Sequence, residues 1–357
     1  MRSVGNILKR IGKILLWIVL ALVVIGVGIF FWLRAEPAAV TECDAGERLM
    51  QHYSGGVCIP EEAEKVVSTS MTTNQFFIAI GHPLGMMTEA LDYATAADIP
   101  GLYERLREIN EAAGVLDLGG LEGGAGRNLE LLVEIDPDVI ISEAPVGDLE
   151  KPASLIAPVL IVSQLNGWKE VTLYAGDLVD EKAAAEELLA SYEERLQILR
   201  DQFDDPSNIT VSVVSLRHDM TTLMMPNSFW GQIAADVGFS VPEEHKGLEG
   251  TANNQFYDIS NERIDLIEAD YVFLYGGLAE HYLGNFDTDS QTLIETFQSD
   301  PIYQTLSVAE SGNVHEVDVY WNTTGIYSAH YVLDDLFRLV AGVDPEDVAP
   351  NPLLLSE

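Results

Sequence analysis

Arg217 stands directly after the apolar, β-branched run 210–216. A guanidinium at the end of a buried strand presents a planar fork of N–H donors suited to carboxylate or hydroxamate oxygens. Cations are scarce in this chain, with 19 Lys+Arg against 57 Asp+Glu in 357 residues, so one in that position is a candidate ligand group. The plainer use of the same side chain is a salt bridge to Asp219. Histidine offers a second chemistry. His82, His218, His281 and His330 fall one to a segment, whereas a bare manganese or zinc site needs about three or four converging ligands. His82 and His218 each follow a run that reads as a first strand, which leaves a two-histidine site as an alternative. Cys43 and Cys58 are the two cysteines. In an oxidising compartment they close a disulfide around a short loop, and with only His52 nearby a catalytic thiolate is the weaker reading.

The remaining chemistry is mostly excluded. No G-x-G-x-x-G or G-x-x-x-x-G-K loop occurs, since Gly119-Gly120 and Gly123-Gly124 lack both the lysine and the spacing. Neither a G-x-S-x-G elbow nor an H-E-x-x-H helix is present. Acid pairs are so frequent that none is informative. A net charge of −38 repels phosphates and argues against nucleic acid. Hydrophobic residues at 47% supply enough apolar surface for packed cores despite that charge. The length suits about two domains.

Such groups need elements to hold them. Arg2, Lys9, Arg10 and Lys13 precede an uninterrupted apolar run, 14–33, closed by Arg34. Twenty residues at about 1.5 Å each span the roughly 30 Å hydrocarbon core. The positive-inside rule then gives a cytoplasmic basic tail, 1–13, a transmembrane anchor, 14–33, and an exported remainder. A cleavable signal peptide is the rival, but its apolar region is usually about 7–15 residues. Cys43 follows Thr41-Glu42, so there is no lipobox. Residues 34–59 read as an extracytoplasmic neck carrying the disulfide.

Beyond the neck, short apolar strands alternate with helices. Strands are expected at 65–70, 138–142 and 159–162, helices at 74–80, 101–113 and 128–135, with a further segment opening at His82. This alternation predicts a parallel α/β sheet. From 180 to 203 Gly and Pro vanish, and Ala184, Leu188, Tyr192, Leu196 and Leu199 recur on one helical face. Asp204-Asp205-Pro206 ends that helix, and the alternation resumes with strands at 210–216 and 271–275 and helices at 229–237 and 261–268. The expected fold is α/β, with an N-terminal lobe over 60–179, a connecting helix over 180–203, a C-terminal lobe over 204–345 and a tail over 346–357. The lobes also echo each other. Residues 130–139 align with 262–271 at constant offset, each a short helix with an acidic first turn leading through an Asp into a buried strand.

In this order the segments resemble the substrate-binding proteins of iron-siderophore, haem and vitamin B12 importers, whose two lobes with mainly parallel sheets are joined by one long helix. The pieces that carry the resemblance are Cys58-Ile59-Pro60 before Lys65-Val66-Val67, Asn128-Leu129-Glu130 before Asp136-Pro137-Asp138-Val139, and Ile156-Ala157-Pro158-Val159. They continue with Pro226-Asn227-Ser228-Phe229, Val314-His315-Glu316-Val317-Asp318, Trp321, Gly325 and Leu333-Asp334-Asp335-Leu336. The resemblance implies a non-enzymatic receptor, monomeric and without an intrinsic cofactor. It captures a ferric siderophore between its lobes and delivers it to an ABC importer, a permease dimer with its ATPase. It also implies that Glu130 and Glu262 dock on permease arginines, although an acid in a helix's first turn is favoured with no partner at all.

For the cleft the resemblance implies Trp321 as a pocket aromatic beside Arg217. Arg127, Met71, Trp230, Tyr275, Tyr257 and Tyr327 are further candidates for which core packing is the plainer account. Bare manganese or zinc, haem through Tyr275 or His281, and a corrinoid remain alternative ligands. An enzyme or an envelope sensor on the same fold is the alternative of another class. The single connecting helix implies closure by a small rocking motion.

Overall fold

The computed structural model describes residues 42–52, 55–68, 70–86, 99, 101–114, 129–142, 150–162, 167–217, 220–251, 255–276 and 290–355. Residues 1–42 and 43–357 are separate units. The expected anchor, 14–33, lies outside the described residues, as does Arg127. No helix among the described residues is long and apolar enough to cross a membrane.

The second unit opens on an antiparallel hairpin, β1 (Glu47–His52) and β2 (Gly55–Pro60), in register from Glu47 opposite Pro60 to His52 opposite Gly55. A disulfide joins Cys43 to Cys58. Arg48 donates to the Leu178 carbonyl at 2.8 Å and so holds the hairpin against the body of the unit. The neck expected over 34–59 therefore contains regular structure. Its strands escape sequence reading because most of their positions are only partly buried, which leaves no alternation of apolar and polar residues to see.

The N-terminal lobe runs β3 (Val66–Ser68), α1 (Met71–Ile80), β4 (Leu84–Met86), α2 (Leu102–Ala113), α3 (Leu129–Ile135), β5 (Val139–Ser142), α4 (Glu150–Ala153) and β6 (Val159–Ile161). Its sheet has the order β4-β3-β5-β6, and every pairing is parallel. The first helix begins three residues earlier than its apolar residues suggest. Ser70 caps it, accepting the Thr73 N–H, and polar Thr72, Thr73, Asn74 and Gln75 fill the opening turns although all four are buried.

Two helices then carry the chain across, α5 (Trp168–Leu178) and α6 (Lys182–Arg200). Asp180, at φ +59°, breaks the helical path between them, so the connecting helix is 19 residues long, about 28 Å. Tyr192, Leu196 and Leu199 face inward as the spacing predicts, while Ala184 and Leu188 are half-buried. Arg195 is buried on the same side, which no apolar period reveals.

The C-terminal lobe comprises β7 (Val211–Arg217), β8 (Met220–Met224), α7 (Phe229–Val237), β9 (Phe256–Ile259), β10 (Tyr271–Gly276), α8 (Ser290–Gln298), α9 (Ser307–Ser311), β11 (Val314–Glu316), α10 (Ile326–Leu339) and α11 (Pro345–Val348). Its order is β11-β10-β7-β8-β9. Strands β11, β10 and β7 are parallel, whereas β8 and β9 are added antiparallel. The helix expected at 261–268 is a 3₁₀ run, Asn261–Ile267, kinked at Arg263.

The internal echo is three-dimensional. Val66 pairs with Val139 in one sheet and Val211 with Tyr271 in the other. Asp138 accepts the Lys65 N–H at 2.8 Å, and Asp270 accepts the Thr210 N–H at 2.8 Å. Each lobe thus uses the Asp before its second central strand to tie down the start of its first. One core spans both lobes, from Val66 and Phe76 through Trp168 and Tyr192 to Trp230, Phe273 and Trp321. Helix α5 packs on α1, α6 on α7, and α10 on both α1 and α6. Burial of shared apolar surface on this scale opposes free swinging of one lobe against the other.

Candidate functional site

In open α/β sheets ligands bind beyond the carboxyl ends of the strands. Here those ends lead into α1 from β3, into Arg217 at the end of β7, and into the 3₁₀ turn Val319–Trp321 after β11. Arg217 is half-buried. One guanidinium nitrogen touches the Met220 sulfur, and its buried Nε has no hydrogen-bond partner among the described residues. A buried N–H left unpaired is expensive. Residues 218 and 219 lie outside the described residues.

Two contacts cross between the lobes beside this edge. Gln75 of α1 donates to Ser328 Oγ at 2.8 Å and accepts the Ser328 N–H at 3.0 Å, in the first turn of α10. A Cβ on Gly325, the residue before α10, would collide with the Gln75 amide. Gly167, before α5, is occluded in the same way by Gln232 of α7, and its φ of +97° suits only glycine. Each lobe therefore offers a glutamine to the glycine that opens a helix of the other. The amino ends of α10 and α5, each carrying positive partial charge, are thus met by side chains of α1 and α7.

The aromatic candidates lie deeper than the resemblance implies. Trp321 is 0% exposed and stacks on Phe273 at 4.3 Å between ring centres, with Trp230 at 4.8 Å. Trp230 and Tyr275 are also buried, the Tyr275 hydroxyl reaching the Met224 sulfur at 3.1 Å, and Tyr327 is buried in α10. These rings form core beneath the cleft edge rather than an exposed wall. Tyr257 is half-buried against the outer core of the C-terminal lobe. Met71 opens α1. His82 packs on Phe77 and His330 sits in the core, while His218 and His281 lie outside the described residues. Among the described residues no three His, Cys, Asp or Glu converge to hold a metal ion. Glu130 and Glu262 are exposed at echoing positions, with Ser260 Oγ donating to Glu262 at 3.3 Å.

The Trp321 indole N–H and the Tyr320 hydroxyl both donate, at 2.7 Å, to one oxygen of Asp335. Burial, with Asp318 adding repulsion, pushes this carboxyl up to about 6 against the pull of the two donors and of Arg338. The folded chain therefore holds the Asp335 proton more tightly than the unfolded chain. The resulting stability is fully present at acid pH and is lost as pH rises through about 6. Asp335→Asn, which keeps an acceptor for both donors, is expected to stabilise the protein by roughly 2–3 kcal/mol at neutral pH and hardly at all near pH 4. Urea midpoints of both proteins at the two pH values measure this, and an equal shift at both would remove Asp335 as the titrating group.

Sequence reasoning missed three side chains here. Thr72, Asn74 and Gln75 form part of a polar run immediately after an apolar strand, and a buried polar helix opening has no periodic signal.

The sequence profile of the family described as periplasmic binding protein matches residues 105–320. The chain is 32% identical over 216 residues to the probable siderophore-binding lipoprotein YfiY of Bacillus subtilis, a match that covers 58% of this chain and 65% of the relative. It is 27% identical over 219 residues to the achromobactin-binding periplasmic protein of Dickeya dadantii, covering 59% of this chain and 68% of that one. Among solved structures, Staphylococcus aureus SirA complexed with staphyloferrin B superposes with a TM-score of 0.67 at 20% identity, over 82% of this chain and 98% of SirA. At that identity the likeness establishes the two-lobed α/β fold.

Proposed function

Because the chain belongs to the periplasmic binding protein family, we propose that it is an extracytoplasmic receptor that captures a ferric siderophore between its lobes and passes it to an ABC importer. The observation that carries this reading is the Arg217 Nε at the carboxyl end of β7, unpartnered among the described residues, a cationic donor in a chain of net charge −38. The functions of the relatives, siderophore and achromobactin binding, support it. The apolar run 14–33 tethers the receptor to the membrane, and Glu130 and Glu262 meet basic groups on a permease dimer with its ATPase. No bond is made or broken. The shared core and the two glutamine contacts limit closure to a small rocking of the lobes.

Tryptophan fluorescence and thermal melting of the full-length protein test this against ferric hydroxamate, catecholate and carboxylate siderophores, haem, cobalamin and free manganese or zinc. The expected result is quenching at submicromolar concentration by a ferric chelate. A ligand present at about 100 times its Kd adds about 2.7 kcal/mol to folding stability and raises the melting temperature accordingly. A response to manganese or zinc alone would shift the site to the histidines, and silence throughout would overturn the reading.

A further inference from the structure

We propose that the amino-terminal turn of α1 is the N-terminal lobe's half of the ligand site and takes carboxylate oxygens of an anionic ferric chelate, opposite Arg217. The inference rests on the ferric-chelate reading above and names the class of chelate.

Helix α1 follows β3 after two residues, so its amino end lies at the same edge of its sheet that Arg217 occupies in the other lobe. Ser70 satisfies the Thr73 N–H, while the earlier N–H groups of a helix have no partner within it. Thr72 and Asn74 are each 1% exposed. Among the described residues, the Thr72 hydroxyl and both the oxygen and nitrogen of the Asn74 amide are nevertheless without a hydrogen-bond partner. Helical side chains lean toward the amino end, so residues at the second and fourth helical positions lie over the first turn. Leaving such groups buried and unpaired opposes folding, and apolar residues of similar shape would pack there without that penalty.

The arrangement suits one kind of ligand. Backbone N–H groups, a hydroxyl, an amide and the helix dipole all favour a full negative charge. They do so without a lysine or arginine, which explains how an acidic chain can hold an anion. The Gln75 contact brings the amino end of α10 against α1, and its partial positive charge adds to the same field. A ferric trihydroxamate, neutral or cationic and without carboxylates, gains little from that field, whereas a ferric chelate with free carboxylates gains much.

The test uses the full-length protein and its Asn74→Leu and Thr72→Val variants, titrated with ferric citrate and with ferric desferrioxamine B while tryptophan fluorescence is read, and melted without ligand. The wild type is expected to prefer ferric citrate by about tenfold or more, the effect of one or two hydrogen bonds to a charged group. Each variant is expected to weaken ferric citrate binding by about tenfold, with an equal or higher melting temperature because an orphaned polar group is gone. Unchanged citrate affinity in the variants, whichever way the melting temperature moves, would make Thr72 and Asn74 ordinary buried residues and overturn the subsite. Binding of the hydroxamate with silence toward citrate would overturn the ligand class and leave the receptor standing. No response of the wild type to any ferric chelate would instead overturn the receptor reading itself. Should Asn74→Leu fail to fold, the near-isosteric Thr72→Val decides.

Discussion

Asp334→Leu is expected to destabilise the folded chain by about 3–5 kcal/mol, because it strands a charge in the core. Arg195 of the connecting helix and Asp334 of α10 form an ion pair whose side chains are 4% and 5% exposed. The rest of the guanidinium is occupied as well. Its Nε donates to the Ala349 carbonyl at 2.8 Å, and one terminal nitrogen reaches His330 Nδ1 at 2.9 Å and the His330 carbonyl at 3.1 Å. Asn351 donates to the second Asp334 oxygen at 2.8 Å. Burial and the adjacent guanidinium push the His330 imidazole down to about 3, so at neutral pH it stays uncharged and its Nδ1 accepts from Arg195. Removing the carboxylate leaves the arginine with neutral acceptors alone, in a place that water does not reach. Replacing both members, Arg195→Met with Asp334→Leu, should recover most of the loss, since a well-packed apolar pair is often as stable as a buried ion pair. Urea denaturation of the two variants measures the difference. Equal losses in both would mean that the pair acts only through packing.

The position of this cluster gives it a mechanical role. It joins the connecting helix, the last long helix and the tail at the junction where the lobes share one core. Opening of the junction would break these hydrogen bonds and expose the shared apolar core, which opposes large swings.

Much of this architecture is legible in the residues. The helix 128–135 and the strand after it, the helix 229–237, the strand 271–275 and the repeat of 130–139 in 262–271 all appear within a residue or two of where patterning puts them, because each is an apolar run bounded by Pro, Asp or Gly. The elements that escape are those whose sequences lack that contrast. Strand β8 reads Met-Thr-Thr-Leu-Met and β1 reads Glu-Arg-Leu-Met-Gln-His, short mixtures whose pairing is fixed by hairpin neighbours rather than by their own period. The polar opening of α1 and Arg195 on the inner face of α6 break the inside-outside rule outright. Buried polar groups are paired or set aside for a task, and chain composition does not show which. Trp321 is ambiguous in the opposite sense. A large aromatic after the last strand fits a pocket or a core equally well, and the sequence carries no sign of the stacking on Phe273 or of the Asp335 acceptor that bury it.

Reversing charge at the lobe tips is expected to separate delivery from capture. The proposed docking acids, Glu130 and Glu262, are both exposed in opening turns, and among the described residues neither forms an ion pair. Arg263, beside Glu262, is held instead by Asp265 at 3.0 Å, and Ser260 only donates a hydrogen bond to the carboxylate. The surroundings differ in one respect. Next to Glu130 stands Val133, 63% exposed, where the C-terminal lobe has the Arg263–Asp265 pair, so the N-terminal tip adds apolar contact area and the other does not. Glu130→Arg or Glu262→Arg should weaken folding by about 0.3–1 kcal/mol through the helix dipole and leave ferric-chelate affinity within about twofold, as expected of a surface change away from the cleft. Loss of one partner from a closed charge pair across an interface is worth about 2–5 kcal/mol, so uptake of iron-55 chelate by cells expressing each variant should fall about 30-fold or more. Arginine-to-glutamate changes on the permease should restore it. Lost chelate affinity in the purified variants would assign the two acids to folding or to the cleft, and unchanged uptake would leave them as simple first-turn acids whose only partner is the helix dipole.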